Sequence, residues 1–211
     1  MLDILENLKQ TAKKSPKRII FPEGDDERVI RAAHTLLKEK LAEPMLVRRD
    51  ALPGIECFSP ETDKGMDDLI DSFYSANGKK YESREQAAGA LKSPLFYAAM
   101  KLKTGAVDGF VGGASSSTSD TVRALLRCVG LKSGAKILSS FFLMILKDKN
   151  LLFADCAIIP SPSSEQLADI ALQTAQSYKT FIGDDAKVAL LSFSTLGSAR
   201  ALSPGKVRRA Y

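Results

Sequence analysis

The residues in this chain best suited to chemistry are hydroxyls and arginines set among glycines. The densest such run is Gly112-Gly113-Ala114-Ser115-Ser116-Ser117-Thr118-Ser119-Asp120-Thr121-Val122-Arg123. Small residues let an anion approach the backbone, hydroxyls donate hydrogen bonds, and Arg123 can grip a phosphate with two parallel bonds. Asp120 is expected at the N-cap of the following helix, where its carboxylate would push a ligand onto the preceding loop and Arg123. The competing reading is a flexible Ser-rich connector. Ser192-Phe193-Ser194-Thr195-Leu196-Gly197-Ser198-Ala199-Arg200 is a weaker loop of the same kind, without the lysine of a P-loop.

Pro22-Glu23-Gly24-Asp25-Asp26-Glu27-Arg28 gathers four acids. They invite a metal, but they suit the first turn of a helix better, where carboxylates oppose the macrodipole. Arg28 gains nothing from that dipole; it either contacts an anion or pairs with a neighbouring acid. Further along, Phe153-Ala154-Asp155-Cys156-Ala157 ends in a strand-terminal aspartate, and Ser163 and Gln166 have capping-box spacing. Cys156 has no basic neighbour to lower its pKa and reads as structural. His34 is the single histidine, so a Ser-His-Asp or zinc mechanism would have to rest on it alone.

Positioning these residues requires strands that end in loops. Leu2, Leu5, Leu8 and Ala12 recur at helical spacing, then Arg18-Ile19-Ile20-Phe21 is a short apolar run stopped by Pro22 and Gly24. Asp25 or Asp26 caps a helix carrying Val29, Ala33, Leu36 and Leu37, and Pro44-Met45-Leu46-Val47 returns as a strand. That βαβ unit demands a parallel sheet. Ser59 to Gly89 is polar and helix-prone, Leu95 to Leu102 is helical, Val107 to Val111 is a strand, and a helix follows from about Thr121. After Gly130 to Gly134 the texture changes. Ile137 to Leu146 and Leu151 to Asp155 have the layout of a hairpin, followed by a helix from about Ser164 to Tyr178 and a strand from Val188 to Phe193. The expected fold is α/β, a two-domain α/β/α sandwich with mostly parallel sheets, with an N-terminal domain at 1–133 and a partial second domain at 134–211.

Bulk properties narrow the classes. The 211 residues are 45% hydrophobic and 26% charged, as in a soluble globular protein. No run approaches the ~18 apolar residues of a membrane span, and Met1-Leu2-Asp3-Ile4-Leu5-Glu6 lacks a signal peptide's basic start. Three scattered cysteines without a CxxC pair suggest neither a disulfide framework nor a zinc site and suit the cytoplasm. A net charge of +5 admits an anionic partner. The bases are interleaved with acids and there is no Trp, which disfavours a basic nucleic-acid-binding α/β module.

Taken in order, these stretches resemble the phosphate acetyltransferase (phosphate acetyl/butyryltransferase) family across essentially the whole chain. The resemblance is carried by Pro22 to Arg28, Val107-Asp108-Gly109, Ser117 to Arg123, Phe153 to Ala157, Glu165-Gln166-Leu167-Ala168 and Leu191 to Thr195. It implies a homodimer of two α/β domains with the active site between them, and no metal or organic cofactor. Coenzyme A would be a substrate, its acetyl group exchanged between CoA and phosphate to give acetyl phosphate. Arg28 and Arg123 match substrate-contacting arginines of the family, with Ser117 and Thr118 in the hydroxyl loop, and Ser194 and Thr195 fall in a matching loop. The chain departs from the pattern at Asn77, where an arginine is usual, at Ala124, where proline is, and at Ser116, where histidine is common. The family's C-terminal third, which supplies the proposed base, has no counterpart, so no catalytic base is carried over. The second domain is then expected to be incomplete, with core-facing surface uncovered. A truncated or degenerate, non-catalytic CoA-binding or oligomerising relative is the alternative.

Overall fold

A computed structural model of the chain describes residues 4–192 and 202–211. The chain divides into two compact units, Leu5–Gly130 and Leu131–Tyr211, the latter including Ile4.

The first unit is built on a parallel sheet of four strands. After α1 (Ile4–Lys14), β1 (Arg18–Phe21) leads through α2 (Glu27–Lys38) to β2 (Glu43–Val47) and β3 (Glu56–Phe58). Three helices, α3 (Met66–Asn77), α4 (Arg84–Leu91) and α5 (Pro94–Lys103), then return the chain to β4 (Gly109–Phe110), which feeds α6 (Thr118–Cys128). The strand order is β3-β2-β1-β4, and every pair is parallel. Strand β3, only three residues long, lacks the length needed to show a period in sequence.

Alternation along the strands assigns each residue to a face. Ile20, Met45 and Val47 join Leu69, Ile70, Phe73, Leu91, Tyr97 and Met100 in one core. Phe21 and Leu46 point the other way, onto Val29 and Ala33 of α2 and onto Ile55. Helices therefore cover both faces. This follows from the order: the β1-to-β2 and β3-to-β4 crossovers travel in opposite directions along the sheet, and right-handed crossovers then fall on opposite faces. Asp26 caps α2, accepting the Arg28 amide, and Pro94 occupies the first turn of α5, where its missing N–H costs nothing.

In the second unit, β5 (Phe141–Ile145) and β6 (Asn150–Ala154) form the expected antiparallel hairpin. Helix α7 (Ser164–Ile182) starts with a capping box between Ser163 and Gln166 and ends at Gly183 in the left-handed conformation, φ 92°. Phe141 packs edge-on against Phe181 of α7, centroids 5.8 Å apart. Helix α8 spans Leu202–Ala210. Val188 to Ser192 is not a strand, contrary to the sequence reading; Phe193, Ser194, Thr195 and Arg200 lie outside the described residues.

Candidate functional site at the switch point of the sheet

Strand order reverses between β1 and β4: the chain leaves β1 toward β2 on one side and arrives at β4 on the other. Ligands of open α/β sheets bind at such points, beyond the carboxyl ends of the strands. The two loops that leave there are Pro22 to Asp26, after β1, and Val111 to Ser117, after β4. Sequence reasoning selected both; the sheet makes them neighbours.

A carboxylate fastens them together. Glu23 accepts the backbone N–H of Gly113 at 3.0 Å to both oxygens, and those of Ser115 at 3.2 Å and Ser116 at 2.9 Å. Partial burial works against the charge, but Ser116 and the neighbouring amides outweigh it and hold Glu23 below the ordinary glutamate range. Glycine is required on both sides of this junction. A Cβ on Gly24 would fall 2.5 Å from the Val47 carbonyl oxygen, and one on Gly112 would meet the Phe110 ring at 2.8 Å. Gly113 holds φ 103°.

The sequence reading of Glu23 as a first-turn acid is therefore corrected. It precedes the N-cap Asp26 and so belongs to no turn of α2, a position legible in sequence once the cap is fixed. The anion drawn to the small-residue loop is the protein's own.

Arg28 pairs with the neighbouring acid. Its Nε and Nη2 lie 3.0 and 2.6 Å from the two oxygens of Asp26, and this guanidinium holds the Asp26 carboxyl down at about 2. Nη2 also donates to the Ala114 carbonyl at 2.7 Å, so Arg28 touches the hydroxyl loop as well, with its side chain 64% exposed.

Ser117, not Asp120, caps α6, which begins three residues earlier than sequence suggested. The Ser117 hydroxyl accepts the Asp120 amide at 3.1 Å and donates to Asp120 Oδ2 at 2.7 Å. A hydroxyl cap satisfies the helix end without placing a charge there, and Asp120 is left to pair with Arg123 at 2.8 Å. Thr118 opens the helix and is exposed. Arg28, Ser117, Thr118 and Arg123 thus lie on the two loops that meet at the switch point or on the helices those loops start.

The remaining candidates have structural surroundings. Asn77 is buried, and its amide donates to the carbonyls of Phe73 at 3.1 Å and Arg127 at 3.0 Å, tying α3 to the last turn of α6. Ala124 is fully buried and His34 exposed. In the second unit, Asp155 accepts the Ser140 amide and hydroxyl at 2.7 and 2.6 Å and the amides of Ile158 and Ile159 at 2.9 and 2.6 Å. Desolvation opposes the charge, but these donors, Ile159 foremost, take the carboxyl down to about 2. The Cys156 thiol rests on the Ser140 hydroxyl at 3.2 Å.

Sequence reasoning missed one further feature of the same sheet end. Beyond β3 lies a cavity of about 280 Å³ lined by residues including Phe58, Asp63 and Tyr97. There the Tyr97 hydroxyl donates to Asp63 at 2.6 Å, and the Lys101 ammonium pairs with Asp63 while sitting 5.0 Å from the Phe58 ring centroid. No spacing signals this cluster, because Asp63 and Lys101 are brought together only by the path of α3 to α5. Among the described residues no group of His, Cys, Asp or Glu could hold a metal ion.

The first unit is an open, doubly wound α/β unit with arginines and hydroxyls gathered at its switch point, the place where such sheets take their ligands. The chain matches the phosphate acetyl/butaryl transferase family over residues 3–211, and it belongs to that family. Similar proteins include a phosphate acetyltransferase from Clostridium acetobutylicum, 37% identical over 99% of this chain and 68% of its own length. Another, from Paracoccus denitrificans, is 38% identical over 98% of this chain and 67% of its own. A solved phosphotransacetylase structure from Streptococcus pyogenes superposes with a TM-score of 0.90 at 35% identity, covering 98% of this chain and 67% of that one. The chain spans about two thirds of the length of these relatives.

Proposed function

We propose that the chain transfers an acetyl group between coenzyme A and inorganic phosphate. The observation that carries this reading is the meeting of the Arg28 and Ser117–Arg123 segments at the switch point of a sheet whose family performs acyl transfer to phosphate. In the direction of thioester synthesis, the CoA thiolate attacks the carbonyl carbon of acetyl phosphate. The C–S bond forms, the C–O bond to phosphate breaks, and phosphate leaves with the electron pair. Arg123 and Arg28 offset the charge of the phosphoryl oxygens, and the hydroxyls of Ser117 and Thr118 donate to them. Ser194 and Thr195 are proposed to contact the same substrates. The described residues supply no assigned base for the thiol.

We place the reaction in the cytoplasm as part of the proposal; the three free cysteines, Cys57, Cys128 and Cys156, suit a reducing compartment and support it. No helix among the described residues is long and apolar enough to cross a membrane. The working form is proposed to be a homodimer. Its support is the outward face of the β5–β6 hairpin, where the paired Phe142 and Phe153 are 58% and 53% exposed.

The test is the purified chain with acetyl phosphate and CoA, following thioester formation near neutral pH. Turnover that falls on Arg123→Ala supports the proposal. Absence of turnover overturns it, and retention of CoA in that case identifies a non-catalytic binder.

A further inference from the structure

We propose that Glu23 is the positioning residue of the substrate loop: its carboxylate occupies the backbone amides of Gly113, Ser115 and Ser116 and thereby sets where Ser117, Thr118 and Arg123 stand. This rests on the acyl-transfer reading above. Successive N–H groups converging on one point form an anion nest, which in many loops receives a substrate phosphate. Here the nest is filled from within, by an acid ninety-three residues away in sequence from the Ser116 amide it accepts.

Three observations make Glu23 a fixed part rather than a passing occupant. The residue is carried between Pro22, which is fully buried, and Gly24, which is packed against the Val47 carbonyl, so its backbone has little freedom. Both carboxylate oxygens are engaged, at 3.0 Å each to Gly113. The same loop is held a second time by Arg28 through the Ala114 carbonyl at 2.7 Å. An acceptor from the β1 loop, Glu23, and a donor from the first turn of α2, Arg28, thus grip opposite groups of the β4 loop.

The arrangement has a chemical consequence. With the amides of Gly113, Ser115 and Ser116 spent on Glu23, recognition of a substrate phosphate shifts toward the side chains of Arg123, Arg28, Ser117 and Thr118. Geometry among these groups then depends on the Glu23 contact, although Glu23 itself touches no substrate.

The experiment compares the full chain with E23Q and E23A by backbone NMR and steady-state kinetics, with formate, a small carboxylate that a backbone nest can accept, titrated in a parallel series. In E23A the amides of Gly113, Ser115 and Ser116 are expected to exchange with solvent about tenfold faster. The value of kcat for acetyl phosphate and CoA is expected to fall about a hundredfold from a displaced loop. Formate should enter the emptied nest and restore part of kcat saturably in E23A while leaving the wild type unchanged, a rescue that a lost packing contact would not show. E23Q keeps the side-chain shape, but one carbonyl oxygen cannot serve all three amides, so intermediate exchange and kcat are expected even if E23A fails to fold. Faster exchange with wild-type kcat overturns the positioning role; unchanged amide exchange overturns the contact itself. A wild-type chain without turnover overturns the acyl-transfer reading, and the exchange measurements still decide whether Glu23 holds the loop.

Discussion

Arg123 reaches back one turn of α6 to Asp120, its Nη1 2.8 Å from the carboxylate, while both side chains stay about half exposed at 53% and 49%. The pair keeps a cation at the hydroxyl loop in a fixed direction without burying it. A phosphate arriving there meets an oriented guanidinium whose partner carboxylate is already committed to Ser117. Arg123→Ala is expected to lower kcat/KM for acetyl phosphate by about a hundredfold. Arg123→Lys should recover only part, because an ammonium cannot make two parallel bonds to a phosphate. Steady-state kinetics with acetyl phosphate varied at saturating CoA checks both.

Asn77, read from the family resemblance as a departure from an arginine, turns its amide inward to two carbonyls. Asn77→Ala leaves those carbonyls with one fewer donor and is expected to cost about 1–2 kcal/mol. Asn77→Arg forces a guanidinium into a buried place and should also destabilise, without raising turnover. Urea midpoints and the thioester assay together test this; a gain in turnover in Asn77→Arg would return the position to the site.

Gly24 lies where the β1 loop crosses the end of β2. An alanine there would put its Cβ 2.5 Å from the Val47 oxygen and 3.1 Å from Leu46 Cβ. Both neighbours belong to the central sheet and have no room to withdraw. Gly24→Ala is expected to cost about 1–3 kcal/mol, read as a lower denaturation midpoint, and to loosen the Glu23 contact beside it.

Asp155 gives a pH dependence of known sign. The carboxyl ordinarily titrates at 3.8 and in the fold at about 2. Because the folded value is depressed, its contribution to stability is complete above the ordinary value and is lost as pH falls through the folded one. Asp155→Asn keeps one accepting oxygen where two serve the Ser140 groups and the Ile158 and Ile159 amides, and should melt below the wild type at neutral pH. The gap should close as pH falls from 3.8 toward about 2. A gap that persists unchanged at the acid end would show that charge is not what Asp155 contributes.

The hairpin face offers a test of assembly. Replacing Phe142 and Phe153 together by serine removes the apolar pair while leaving the backbone ladder of β5 and β6 in place. If two copies associate through this face, the particle mass by light scattering should fall from twice to once 22.8 kDa. An unchanged mass would locate the association elsewhere.

Much of this protein was legible in its residues because local physics decides it. The run Arg18 to Phe21 stopped by Pro22, the capping box of Ser163 and Gln166, and the apolar hairpin around Lys147 to Asn150 each carry their structure within a few residues. The family motifs likewise named Arg28, Ser117, Thr118 and Arg123 by type and order. Tertiary structure decided what those residues do to one another. That β4 lies beside β1 rather than beyond β3 depends on a crossover through three helices, and no local pattern encodes it. From that single neighbour relation follow the meeting of the two loops, the capture of the Gly113, Ser115 and Ser116 amides by Glu23, and the Ala114 contact of Arg28. The burial of Asn77 against Arg127 has the same origin. Sequence fixes which groups are available; their partners are set by long-range packing, because a hydrogen bond across some ninety residues exists only once the sheet between them has formed.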